Sequence, residues 1–594
     1  MSANRPSKHG LRTVLHASGT LAFVLLAGTG PAWAQAGGGP ISPAVTPPDV
    51  RVGNLRAQLQ AYQPTTVARG IGPAWLVTPS IGVDVGATDN ALLVERPRRA
   101  DVFTIISPSI SISGDTARLK VNATYAPQFS LYASSSSQTR VDQFFGGNAL
   151  ATIVPDIVFL DVRGSISQQS RTGGFARTET QSLNRQDQIQ TISLSATPYA
   201  EQRFGGWGTG RVGYSIAQTF QNARDGDDRF NQVSNRNFNQ GLDQNNQLSS
   251  QFATGDLTTH RQRASFVTGE NLGRINNISV LEAVQYDGFG PYRGAYRNIA
   301  TTDFGYALSR TVTLLAGTGY QDLRFSGPQG TRIKEPIWNV GVRLLPNQDS
   351  SITVGYGRRD GANSAYLDAA YSPTARTRVF ARYGTGITTD SEEQQNLLQS
   401  STLSSTGLLQ DSTTGSPVGS NSGFFGTQNG LFRSRRFSVT GLLLLNRDSI
   451  SVSVVNEERT NLSDTLFDPT FNSFSNSNAN LVVLPAGSTS NSTSGVVSWQ
   501  HELTPRLTST ASFQYGVQDF GQSGQNAQNS STTSISGIAG LGYQFNPTLF
   551  GSAQYRYTER TGGFGRSVFN NSDPSNSNGP VVENSVLVGL RKSF

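Results

Sequence analysis

Few residues in this chain could do covalent chemistry. Beyond residue 34 the only histidines are His260 and His501, and neither stands in an H-x-x-x-H pair or beside a second ligand. With no cysteine, neither a disulfide framework nor a thiolate metal site can form. No G-x-S-x-G elbow and no G-x-x-x-x-G-K loop occurs, and Gly206-Trp207-Gly208-Thr209-Gly210 reads as a turn carrying an aromatic anchor. The expectation is a protein that is not an enzyme and uses no cofactor or metal. The one enzymatic alternative is a phospholipase-type Ser–His pair on a membrane-facing wall, for which His501, two residues after Trp499, is the candidate. The acidic pairs Glu392-Glu393 and Glu457-Glu458 suit divalent cations that bridge lipopolysaccharide, but solvated loop charge is the better reading.

Arginine carries the more useful signal. Arg163, Arg211, Arg343, Arg378, Arg382 and Arg556, with Arg591, each alternate with apolar residues in segments of period 2. If the apolar parity faces lipid, these guanidinium groups face the lumen, where charged rings select solutes by sign. Small anions or an anionic polysaccharide would then be favoured. Asp161 and Asp84 share the inward parity, so Arg–acid ladders bracing the wall are the competing role. Only four lysines occur in the chain. Arginine is the better planar partner for carboxylate, phosphate and sulfate.

These parities require strands. Gly, Ser, Thr, Asn and Gln dominate, and short alternating segments recur from about residue 78 to the end. That texture predicts an all-β fold, a transmembrane antiparallel up-and-down β-barrel with a greasy exterior and a polar interior. A secreted β-solenoid or adhesin is the alternative, though no fixed repeat period is present. Four units begin Leu345-Pro346-Asn347, Ser372-Pro373-Thr374, Thr504-Pro505-Arg506 and Asn546-Pro547-Thr548, each read as a periplasmic turn before a strand. The tenth residue after each proline is Tyr356, Tyr383, Tyr515 or Tyr557. Ten residues at ~3.3 Å rise, tilted ~40°, climb about 25 Å, so these tyrosines are expected in the outer aromatic girdle. Val154-Pro155-Asp156 repeats the device with its register shifted by one.

Long connections are expected near 87–101, 133–140, 169–187, 222–243, 287–297, 325–332, 360–363, 389–430, 460–493, 521–532 and 561–580. Alternated with tight turns, they give about 22 strands, with 20 or 24 as alternatives and both termini periplasmic. A single strand is assigned to 244–275 to keep parity. The loops 389–430 and 460–493 are polar and low in complexity, able to fold into the lumen or stay outside.

Residues 1–34 carry a basic start, a short apolar run and Ala32-Trp33-Ala34, the pattern of a cleaved signal peptide. Residues 35–72 read as a flexible periplasmic segment, with a short amphipathic helix at Leu55, Leu59 and Tyr62. Residues 73–594 would form the barrel. Without the leader's three cations, 44 basic residues face 40 acidic ones, a balance of +4 that is too mild to argue for nucleic acid.

The chain closes on a strand in which Val586, Val588 and Leu590 alternate and Phe594 is terminal, the usual closing signal read by the barrel assembly machinery. With it stand Thr88-Asp89-Asn90, Ser107-Pro108-Ser109-Ile110, and Tyr125-Ala126-Pro127-Gln128 followed by Leu131-Tyr132. This order resembles the outer-membrane barrels associated with exosortase (PEP-CTERM) and exopolysaccharide loci, a β-barrel porin type. The resemblance implies a barrel in the outer membrane of a Gram-negative bacterium and a role in polysaccharide export or secretion. It carries over no functional residues. Lys592 departs from the apolar residue common two before the final Phe, and its stem can snorkel to the rim.

The functional expectation is a passive, porin-like channel in contact with outer-membrane lipid and lipopolysaccharide. The alternatives are a surface scaffold or adhesin using the two long loops, or a TonB-dependent-type transporter lacking a plug.

Overall fold

The computed structural model describes residues 74–93, 95, 97–170, 188–223, 256–288, 290–326, 330–403, 409–411, 425, 430–463, 465–467, 482–520, 530–562 and 580–594. The leader, the 35–72 segment and its helix at Leu55, Leu59 and Tyr62 lie outside the described residues.

Twenty-two staves form one antiparallel wall. The first seven are β1 (Trp75–Thr88), β2 (Asp101–Asp115), β3 (Leu119–Tyr125 and Gln128–Tyr132), β4 (Arg140–Asp142 and Phe145–Val154), β5 (Val158–Ser170), β6 (Gln188–Arg203) and β7 (Gly208–Ala223). Next come β8 (Leu257–Thr268), β9 (Ile275–Gly288), β10 (Tyr296–Ala307), β11 (Val312–Arg324), β12 (Arg332–Leu344), β13 (Ser351–Arg359), β14 (Ala362–Thr374) and β15 (Thr377–Thr388). The last seven are β16 (Phe432–Leu444), β17 (Asp448–Asn461), β18 (Thr489–Thr504), β19 (Leu507–Phe520), β20 (Ser530–Asn546), β21 (Leu549–Gly562) and β22 (Val581–Ser593). β3 and β4 are each broken once, because Pro127 has no N–H to give the ladder. The break is local: Tyr125 pairs Phe145 and Gln128 pairs Asp142, one continuous register.

β1 pairs with both β2 and β22, which closes the wall. The seam is reinforced at one end by the Thr88-Asp89-Asn90 run. Thr88 Oγ1 donates to Glu583 at 2.9 Å, and Asn90 Nδ2 donates to the Val582 carbonyl at 2.9 Å. Asn584 donates to the Asp89 carboxylate through its backbone N–H and its side-chain amide, both at 2.7 Å. At the other end the Phe594 N–H donates to the Pro79 carbonyl at 3.0 Å.

Connections alternate in length. Ten short turns lie at one end of the wall and the eleven connections expected to be long lie at the other, with one correction: the connection expected at 360–363 is the two-residue turn Asp360-Gly361. The strand forced into 244–275 exists, as β8. Pro373 is a correction: it stands within the last residues of β14, before the turn, where the register shifts between Tyr371 and Thr374. Similar shifts precede the turns after β4, β18 and β20. A bulge there lets the chain twist into a tight reversal.

Cα partners across an antiparallel pair share a face, so one assignment propagates around the whole wall. Val83, Val85, Val586, Val588 and Leu590 are outward and exposed, as are Val354, Phe513 and Val497. Ser107, Ser193, Thr219, Thr259, Thr440, Ser453 and Gln514 are buried on the opposite parity. Among the described residues no helix is long and apolar enough to cross a membrane; the strands cross it. A closed ladder leaves no backbone edge unpaired in hydrocarbon, which is what a non-helical span requires. The chain is therefore a closed β-barrel with an apolar outer face and a polar lumen, built to span a membrane with its strands.

Candidate functional site: a helix pinned inside the lumen

The first part of the 389–430 connection folds inward as α1 (Asp390–Ser400). Thr389-Asp390-Ser391-Glu392 carries the S/T-x-x-E spacing of a capped helix start. The Glu392 N–H donates to Thr389 Oγ1 at 3.2 Å, and the Glu393 N–H to the Thr389 carbonyl at 2.9 Å. No Gly, Pro or β-branched residue interrupts the eleven residues, which span about 16 Å. Asp390, Glu392 and Glu393 occupy the first turn, where the helix dipole favours negative charge.

Each end of α1 meets arginine. At the start, Arg459 on β17 is fully buried and donates to Asp390 at 2.9 Å and to Glu457 at 2.7 Å, with Glu393 at 3.8 Å. Its guanidinium lies between the rings of Phe432 and Phe425, 4.1 and 4.6 Å from their centroids. Arg297 on β10 lies 3.3 Å from Glu392 and donates to the Ile387 carbonyl at 2.6 Å. Tyr286 on β9 donates to the same Glu392 oxygen at 2.8 Å. At the far end, Arg163 on β5 donates to the carbonyls of Gln399 and Leu398 at 2.8 and 3.3 Å. Arg261 on β8 donates to Gln399 at 2.9 Å and Asn396 at 3.2 Å, and Thr259 donates to Gln395 at 2.8 Å. The arginines at the carbonyl end and the helix's own Asp390, Glu392 and Glu393 at the amide end both match the dipole, and Arg459 and Arg297 hold the amide end through those carboxylates.

β5 and β17 stand twelve staves apart one way around the wall and ten the other, so α1 bridges opposite sides of the lumen. Beside its start, Leu257, Val284, Tyr286, Leu323, Phe325, Ile387 and Leu431 form an apolar cluster.

Burial, with Glu457 and Asp390 close by, pushes the Glu393 carboxyl well above the ordinary carboxylate range despite Arg459 and Arg436. A carboxyl whose docked pKa exceeds its free value favours docking at low pH, and that contribution is lost as pH rises through the docked value. From about pH 5 upward, conductance across the purified barrel in planar bilayers should therefore increase as α1 loosens. Glu393→Gln should flatten that dependence; an unchanged profile in the variant would remove Glu393 as its source.

The acidic pairs are corrected by this geometry. Glu392, Glu393 and Glu457 are buried on the lumen side, and only Glu458 faces outward, 3.4 Å from Arg435. Among the residues read as lumen-facing, Arg163 holds Asp161 through two bonds of 2.9 and 2.8 Å as well as α1. Arg211 lies 3.7 Å above the Tyr199 ring, Arg343 Nε is 3.4 Å from Thr353, and Arg382 lies 3.2 Å from Asp368. Arg378 is exposed on the same parity of β15, and Arg556 is enclosed within β21. Of the four tyrosines, Tyr356 and Tyr515 are outward and exposed. Tyr383 and Tyr557 share that face half-buried, Tyr557 donating to Glu559.

His501 lies against Asp448 at 2.8 Å and stacks on Trp499, while Ser509 reaches its backbone carbonyl rather than its ring. The phospholipase pairing is not assembled there. His260 meets Tyr214 at 2.6 Å on the outer face. Among the described residues no group of three His, Cys, Asp or Glu side chains could hold a metal. Sequence reasoning missed α1 and its partners Arg459, Arg297, Arg261 and Tyr286. The available signals were the capping spacing at Thr389 and the inward parity of Arg297 and Arg459.

No family model matches the chain, and no curated protein does. Among solved structures, it is similar to the FrpB iron transporter from Neisseria meningitidis, at 9% identity over 87% of this chain and 82% of that one, with a TM-score of 0.38. The siderophore receptor PirA from Acinetobacter baumannii aligns at 10% identity over 87% and 80%, with a TM-score of 0.41. A loop-deleted OmpT, an outer membrane protein of Vibrio cholerae, aligns at 10% identity over 88% and 100%, with a TM-score of 0.26.

Proposed function

We propose that this barrel is a passive outer-membrane channel whose lumen is narrowed by α1, and that it serves an exopolysaccharide or envelope secretion pathway. The observation that carries the channel reading is α1 itself. A short polar helix anchored to opposite walls by Arg459, Arg297, Arg261 and Arg163 narrows a lumen otherwise lined by Ser, Thr and Gln. In this reading the turn end and both termini lie in the periplasm, with the long loops outside among lipopolysaccharide.

The solute class is anionic. Arg343, Arg378 and Arg382 cluster on the inner parity of β12 to β15, and only Arg382 has an ion-pair partner among the described residues, Asp368. Small anions and acidic polysaccharide segments match planar guanidinium donors. The pathway rests on the resemblance to barrels of exosortase and exopolysaccharide loci. No catalytic step is assigned.

Purified protein in planar bilayers under a salt gradient should give a reversal potential of anion-selective sign. Arg343→Glu with Arg378→Glu should move it toward cation selectivity. Absence of conductance in both the native chain and a chain lacking 390–400 would overturn the channel. A deletion strain that still exports its polysaccharide at normal yield would overturn the pathway.

A further inference from the structure

The outer wall is not uniform. On β8 to β11 the outward parity carries polar groups: Gln262, Thr302 and Thr318 near the middle of β8, β10 and β11, and Asn277 and Ser279 toward the start of β9. The flanks return to apolar residues, Val212 and Ile216 on β7 and Val340 and Val342 on β12. Asn277 Nδ2 donates to Thr302 at 2.8 Å, and Ser279 Oγ donates to Asn277 at 2.9 Å. The Gln262 amide and Thr318 hydroxyl, both exposed, have no hydrogen-bond partner among the described residues. Lipid tails offer such groups nothing to bond.

The same sector is concave. A groove of about 990 Å³ runs across it from Val212 and Tyr214 on β7, along Ala264, Ala283 and Ala300, to Tyr320 and Asp322 on β11, and continues onto β5 and β6 at Val158 and Ala200. Small residues at a membrane-facing surface let a second backbone approach closely, and polar side chains then bond across the contact. Gln and Thr side chains each donate and accept. A surface built from them is complementary to its own copy, as a two-fold interface requires.

We infer that the β8–β11 face is the contact between two copies of this chain, packed about a two-fold axis along the membrane normal. Leu281 and Tyr320 of one copy fill the Ala-floored groove of the other, while Gln262 and Thr318 find partners across the axis. The inference is independent of what crosses the lumen. It predicts a dimer whether or not the barrel conducts.

The chain contains no cysteine, so a single introduced thiol reports on one position. Leu281→Cys in the full-length protein, between Ala264 and Ala300 at the centre of the face, should give a disulfide-linked dimer when outer membranes are oxidised with copper–phenanthroline, because only a position near the two-fold axis meets its own copy within disulfide reach. Val85→Cys, outward on the distant β1, should stay monomeric. Light scattering of native protein in mild detergent should give twice the protein mass of one chain, and Gln262→Leu combined with Thr318→Leu should lower it toward one. Heat-dependent gel mobility checks that each variant has folded. Monomeric mass with co-purified lipid would overturn the inference and make the groove a lipid site. So would a folded Leu281→Cys variant that reacts with a soluble maleimide yet forms no dimer, or equal cross-linking at Val85→Cys.

Discussion

Replacing Arg459 with alanine is expected to release the start of α1 and raise single-channel conductance several-fold. The side chain is fully enclosed, and Asp390, Glu393 and Glu457 all converge on it. Removing one partner of a buried ion pair costs about 3–5 kcal/mol, because the charge left behind loses its partner without gaining water. Spread over docked and undocked helix, that is a shift of about two to three and a half orders of magnitude in their ratio. Undocking relieves the penalty by letting Asp390 and Glu393 reach water in the lumen, while Glu457 stays on its strand beside Arg436. Arg459→Lys should fall between, keeping the charge but losing the planar fork and the stacking on Phe425 and Phe432. Arg163→Ala should have a smaller effect, since Arg261 also holds that end and Arg163 is partly solvated. A folded Arg459→Ala barrel with native conductance would mean that α1 does not set the bore.

The wall was legible in the sequence for a simple physical reason. Hydrocarbon outside and water inside impose a two-residue period on every stave, so Val354, Phe513 and Val588 declare their side one residue at a time. Loop placement followed, because polar runs without that period cannot sit in the wall. The interior was illegible for the opposite reason. α1 is stabilised by residues from β5, β8, β9, β10 and β17, separated from it by as many as 236 positions. Nothing local marks Glu392 as the partner of Arg297 rather than of water. The Glu392-Glu393 pair was misread because a doublet of acids in a polar loop is normally solvated, and only the closed cylinder brings buried cations to it. The clasp at Thr88-Asp89-Asn90 is a middle case, where a short motif was visible but its partner, Asn584, was on the opposite end of the chain.

The period-two rule itself makes the sharpest demand on stability. Phe513 and Ser512 are neighbours on β19, yet Phe513 pairs Val497 on the lipid side and Ser512 pairs Ser498 on the lumen side. Phe513→Arg should destabilise the barrel by about 2–4 kcal/mol, the cost of a cation near the bilayer midplane. Ser512→Arg should cost less than about 1 kcal/mol, because the guanidinium enters a polar, wet interior where the wall already carries arginines. The measurement is reversible denaturant unfolding in lipid vesicles, read by loss of the compact gel mobility. A larger loss from Ser512→Arg than from Phe513→Arg would invert the inside and outside of the wall. The lumen helix, the selectivity arginines and the β8–β11 contact surface are all placed by that same parity, so they would then have to be reassigned together.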